Sequence, residues 1–162
     1  MIDRDHMIEP MLVACPSFEP RWHEFLDEWV GNPILFEDGS DGELPMYLAL
    51  GDLANHLIEK LESGETKDFP TIFGVVEDWN VHGEHYVAEA ATIGLIEDLT
   101  NEHRYRRLKP DDMLPWLGPE SAKSWHALLE FWERLDKERS ILSRVKEKLA
   151  GFFTPTSFVS RS

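Results

Sequence analysis

The chain has 162 residues, 42% apolar and 29% charged, which is enough apolar material for one soluble domain with a proper core. A single cysteine, Cys15, excludes an internal disulfide framework and a thiolate-rich zinc site. The net charge of −15 argues against nucleic acid and anionic membrane as partners, because both select cationic footprints.

Residues 1–16 show no sustained period and are expected to be an irregular N-terminal segment. Leu12-Val13-Ala14-Cys15 has the form of a lipoprotein cleavage box. However, Asp3, Asp5, His6, Glu9 and Pro10 stand where such a signal needs positive charge followed by apolar residues, so the match is accidental. No run reaches the roughly 18 apolar residues that span a bilayer, and the expected location is cytoplasmic. From residue 17 to 133 an acidic all-helical domain is expected. Pro20 suits a first helical turn, and Trp22, Phe25, Leu26 and Trp29 share a face that Gly31 closes. Asn32 to Gly42, with Pro33 and two glycines, reads as an exposed loop.

A second helix runs from about Leu44 to Glu62 on the stripe Tyr47, Leu50, Ala54, Leu57, Ile58 and Leu61, and Gly64 ends it. Thr66 is the expected N-cap of a third helix whose face is Phe69, Ile72, Phe73, Val76 and Trp79, with a break at Asn80 to Gly83. A fourth helix starts at Glu84 and is expected to bury Tyr86, Val87, Ala90, Ile93, Gly94, Ile96 and Leu99. Its small residues Ala88, Ala90, Ala91 and Gly94 invite a close neighbour. The connector with Pro110 and Pro115 holds a short helical turn around Asp111 to Leu117. Pro119 then begins a last helix of about 30 residues, with Trp125, Leu128, Trp132, Leu135, Leu142, Val145 and Leu149 recurring near every 3.5 residues. Residues 134–153 are expected to form a basic helical extension of the domain, and 154–162 a flexible tail.

Period-2 alternation is absent, so the fold class is all-α. Short links make successive helices antiparallel, as a compact helical bundle or a short HEAT-like stack with a long C-terminal helix. An apolar stripe that outruns its domain either folds back or packs on a second subunit. A homodimer through the C-terminal helix is therefore one expectation.

Charge is distributed unevenly. Residues 1–102 carry four basic side chains, Arg4, Arg21, Lys60 and Lys67, against 23 acidic ones, while 103–162 carry 12 against eight. The negative portion raises the encounter rate of a basic partner. The cluster from His103 to Lys109 is too short for a nucleic-acid surface and suits a helix C-terminus.

His82, His85 and Glu89 are the best local set of metal ligands, at i, i+3 and i+7 on one helical face, and such a set suits zinc or iron. Gly83 weakens it by placing His82 outside the helix, and no second Glu-x-x-His motif accompanies it. Surface residues at a helix N-terminus are the simpler reading, and no cofactor is expected. Cys15 lies in an acidic stretch and lacks the electropositive setting of a nucleophile, so buried packing is expected of it. No nucleophile elbow occurs, and Gly39-Ser40-Asp41-Gly42 would repel phosphate. The six tryptophans fall mostly on apolar stripes and read as core anchors.

Several segments together carry a resemblance: Ala14-Cys15-Pro16-Ser17-Phe18 with Trp22, Tyr47 to Ile58, Ala90 to Leu99, and Leu117-Gly118-Pro119-Glu120-Ser121 with Trp125 and Phe131-Trp132. Over residues 11–133 the chain resembles an uncharacterised bacterial all-helical domain family similar to immunity proteins encoded beside polymorphic toxins. The resemblance implies a non-enzymatic protein that binds a basic partner. It supplies no catalytic residue. On charge and inferred exposure, the residues expected to meet that partner are Glu37, Asp38 and Asp41 in the loop, and Asp52, Glu59, Glu62, Asp68, Glu77 and Asp78 on the second and third helices. The alternatives are a metal- or small-molecule-binding helical protein that uses His82, His85 and Glu89, or a scaffold protein that dimerises through its last helix.

Overall fold

The computed structural model describes residues 1–32 and 43–152, and every regular element among them is helical. In chain order these are α1 (Ile8–Ala14), α2 (Glu19–Trp29), α3 (Met46–Ser63), α4 (Phe69–His82), α5 (His85–Glu89), a π-helical segment (Ala90–Ile96), α6 (Glu97–Thr100) and α7 (Pro119–Phe152). Short 3-10 turns occupy Pro16–Phe18, Glu102–Arg104, Pro110–Asp112 and Leu114–Trp116. The all-α expectation holds, with no strand among the described residues and one isolated bridge between Ile2 and Gly83. The chain divides into two units, Met1–His126 and Ala127–Ser162.

In the first unit α3 is central. Its Ala49, Leu50, Leu53, Ala54, Leu57 and Ile58 are buried, and it packs along the π segment and α6. Gly94 allows that contact, since a Cβ there would lie 3.1 Å from Leu50 Cδ1, tighter than ordinary packing. α4 buries all five of its expected core residues, Phe69, Ile72, Phe73, Val76 and Trp79, and packs against α1 and α5. Each large apolar side chain so buried contributes about 1.5–3 kcal/mol. The Trp79 indole N–H donates to the Met7 carbonyl at 3.0 Å and ties α4 to the start of α1. The second unit, within the described residues, is the distal part of α7, whose side chains are mostly exposed.

Four expectations are corrected. The first 16 residues are not irregular throughout: α1 buries Ile8, Met11 and Ala14, and Ile2 donates to the His82 carbonyl while accepting from the Glu84 N–H, both at 2.8 Å. Seven residues, of which three are buried, are too short a segment for a helical period to be read from sequence. Thr66 does not cap α4 with its side chain. The helix opens at Phe69 with Pro70 in its first turn, where a missing N–H costs nothing. The helix after Gly83 is a rod interrupted by the π segment. Val87, Ala91 and Leu95 keep the i, i+4, i+8 spacing of one buried face, off which Ile93 lies at 46% exposed, and the widened i→i+5 turns bring Ile96 and Leu99 round onto that same face. Among the tryptophans, Trp79 and Trp125 are fully buried but Trp132 is not a core anchor. Cys15 is buried as expected.

Candidate functional site

Three of the four cations ahead of residue 103 are taken up within the first unit. Arg4 pairs with Glu43, donates to the Leu44 carbonyl at 2.7 Å and lies 4.3 Å over the Tyr86 ring. Arg21 on α2 reaches Glu59 on α3 at 2.5 Å, and the buried Lys60 ammonium lies 3.8 Å from Glu65. The exposed carboxylates Glu24, Asp27 and Glu28 follow one another on α2 at i, i+3 and i+4, a spacing that places them on one helical face. Their side chains make no hydrogen bond or ion pair among the described residues, and neither do those of Asp52 and Asp68.

The nine acids expected to form a partner-binding surface therefore have different roles. Glu37, Asp38 and Asp41 lie outside the described residues. Asp52 and Asp68 are exposed, as expected. Glu59 is paired with Arg21, and Asp78 lies 3.5 Å from the His82 ring.

Glu62 and Glu77 accept hydrogen bonds from the backbone of distant parts of the chain, Glu62 at the surface and Glu77 partly buried. One Glu62 oxygen accepts the backbone N–H groups of Arg106, Arg107 and Leu108 at 2.5, 2.8 and 3.4 Å. The Arg107 N–H leads in holding this carboxyl below its ordinary range, and those of Arg106 and Leu108 add to it. The expected basic cluster is thus a loop fastened after α6: Arg104 pairs with Asp98 at 2.7 Å and donates to Asn55 at 2.7 Å.

Glu77 accepts the N–H groups of Glu120 and Ser121 at 2.8 and 3.0 Å and the Ser121 hydroxyl at 2.8 Å. It thereby caps the N-terminus of α7 from a different helix. Burial alone would raise its pKa, but these donors outweigh burial and lower it. Gly118 makes room for this, because a Cβ there would sit 2.4 Å from the Glu77 carboxyl carbon.

His82, His85 and Glu89 are not gathered around a point. His82 closes α4 and lies near Asp78, whereas His85 opens α5 and reaches Glu89 at 3.3 Å. Among the described residues no three His, Cys, Asp or Glu side chains are placed to hold a metal. Tyr47 also donates to Glu89 at 3.1 Å, and its hydroxyl is pushed up to about 12 by burial and by that carboxylate.

One polar constellation has no local sequence signal, because its members are 39 positions apart. The Ser17 hydroxyl meets His56 Nε2 at 2.8 Å, with Cys15 Sγ 3.6 Å from the same hydroxyl. Burial first, then the charges of Arg21 and Lys60, lower the His56 pKa and keep the ring neutral, which lets Nε2 accept from Ser17. A hollow of about 320 Å³ is floored by Ile8, Trp22 and Met46 and rimmed by Arg4 and Glu43, whose charges meet each other.

Residues 8–133 match a domain of unknown function, DUF7674, and the chain belongs to that family. No curated protein and no solved structure matches the chain. No helix among the described residues is long and apolar enough to cross a membrane.

Proposed function

We propose that this member of the DUF7674 family is a non-enzymatic binding protein whose acidic first unit engages a basic protein. The observation that carries this is the state of the cations. Arg4, Arg21 and Lys60 are held in internal pairs, so the exposed carboxylates of α2, with Asp52 and Asp68, keep their field. Such a field steers a cationic surface into contact and selects against acidic competitors. The immunity-like resemblance names one partner of this kind, a basic toxin met in the cytoplasm. Glu62 and Glu77 are not counted in this surface, because one Glu62 oxygen and both Glu77 oxygens already accept backbone N–H groups.

The test is capture of proteins from a host lysate on the immobilised chain at low salt and at about 0.5 M salt, where screening extends over only a few ångströms. Capture of a basic protein that weakens in salt supports the reading, as does its further weakening by Asp27→Lys with Glu28→Lys. Capture that ignores both salt and the reversal overturns it.

A further inference from the structure

Distal α7 carries a pattern of its own. Leu128, Leu135, Leu142 and Leu149 recur at intervals of seven, and three residues after each stand Phe131, Glu138, Val145 and Phe152. A repeat of seven is the seam of a two-stranded coiled coil, with the leucines at one core position and the second set at the other. This seam is uncovered: Leu142 is 60% exposed and Leu149 53%. The stripe is narrow along most of its length, widened only by Trp132 on one flank and Ile141 on the other, and Glu138 interrupts it. A helix lying in a membrane interface needs a broad apolar face instead.

The flanks of the seam say what fits it. The charged residues immediately beside it are Arg134, Arg139, Lys146 and Lys148, all positive. The acids Glu130, Glu133, Asp136 and Glu147 lie on the outer positions. Flanking charges choose the partner of a coiled coil. A second copy in parallel would set Arg134 against Arg139, and an antiparallel copy would also bring only positive charges together.

We propose that the distal face of α7 is a docking surface for an amphipathic helix of another protein, one with an apolar seam and acidic flanks. Glu138 fixes the register by requiring a cation opposite, at a cost in stability. This surface belongs to the second unit and is opposite in sign to the acidic surface invoked above, so it stands or falls independently of the function proposed there.

The experiment uses the full chain and two synthetic four-heptad peptides. One has leucine along its seam, a lysine opposite Glu138 and glutamate on its flanks; the other has the same composition scrambled. The chain alone is expected to sediment as a monomer. It is expected to bind the patterned peptide at least about tenfold more tightly than the scrambled one, with binding falling as salt rises. Leu142→Asp is expected to abolish that preference. Arg139→Glu with Lys146→Glu, which alters only exposed side chains, is expected to weaken the patterned peptide by at least about tenfold. Equal binding of the two peptides overturns the proposal. So does a stable dimer that takes up neither peptide, or uptake by phosphatidylserine vesicles that the patterned peptide does not compete away.

Discussion

Trp79 and Trp125 are both fully buried, yet only one indole N–H is satisfied. Trp79 donates to Met7, whereas Trp125 Nε1 has no acceptor among the described residues. Replacing either with phenylalanine removes the same atoms and leaves a similar void, so the two variants differ chiefly in the hydrogen bond. Trp79→Phe breaks a satisfied bond, and Trp125→Phe removes an orphaned donor. The first is expected to cost about 1–2 kcal/mol more than the second in urea unfolding. Equal costs would mean that the Met7 contact contributes nothing.

His56 gives a prediction in pH. Its folded pKa is lowered below the ordinary 6.5 by burial and by Arg21 and Lys60, so the unfolded chain takes up its proton first as pH falls. Its contribution is therefore fully present above about pH 6.5 and is lost as pH drops through the folded value. The difference in melting temperature between the protein and His56→Gln is expected to shrink between about pH 7.5 and pH 5.5. The His6–Asp3 pair titrates in the opposite sense and is common to both chains. A difference that stays constant over that interval would contradict a neutral, half-buried His56.

At the scale of elements, the start of α7 is the most informative case. Pro119 announces the helix in the sequence, but Gly118 supplies no capping side chain. The missing cap comes from Glu77, more than 40 positions earlier. Glu77→Gln is expected to cost about 1 kcal/mol at neutral pH, since a charge-assisted set of bonds at a helix N-terminus becomes a neutral one. Because the folded pKa lies below 4.5, the advantage of the glutamate is present above that value. It disappears as pH falls through the folded value, so the two melting curves are expected to converge in acid.

The same element shows what sequence can and cannot convey. The stripes of α3 and α4 are legible because one uninterrupted period of 3.6 runs through each. The π segment is not, since one widened turn changes which side chains point inward without any residue that announces it. Ile96 and Leu99 join the buried face of Val87, Ala91 and Leu95 for that reason, while Ile93 lies off it. Among the candidate site residues, Asp52 and Asp68 stand exposed as their helical positions suggest. Glu62 and Glu77 look equivalent to them in sequence and are committed to backbone N–H groups only through contacts 40 or more positions away.

Over the whole molecule the question is whether internal pairing balances the acid excess. The described ion pairs account for Arg4, Arg21, Lys60 and Arg104, each bound to one carboxylate, so pairing neutralises only a minority of the 23 acids ahead of residue 103. Salt acts on pairs and on unpaired charges alike. It weakens the exposed pairs, which are worth about 0–1 kcal/mol each, and it relieves repulsion among unpaired carboxylates on a chain of net charge −15. Repulsion outweighs pairing here because it sums over many like charges. The melting temperature is therefore expected to rise as sodium chloride is raised from about 20 to 300 mM, over which the Debye length falls severalfold. Asp27→Lys with Glu28→Lys is expected to reduce that rise by removing two members of the unpaired set. A melting temperature that falls with salt would mean that the ion pairs dominate, and it would leave the acidic field too weak to recruit a basic partner.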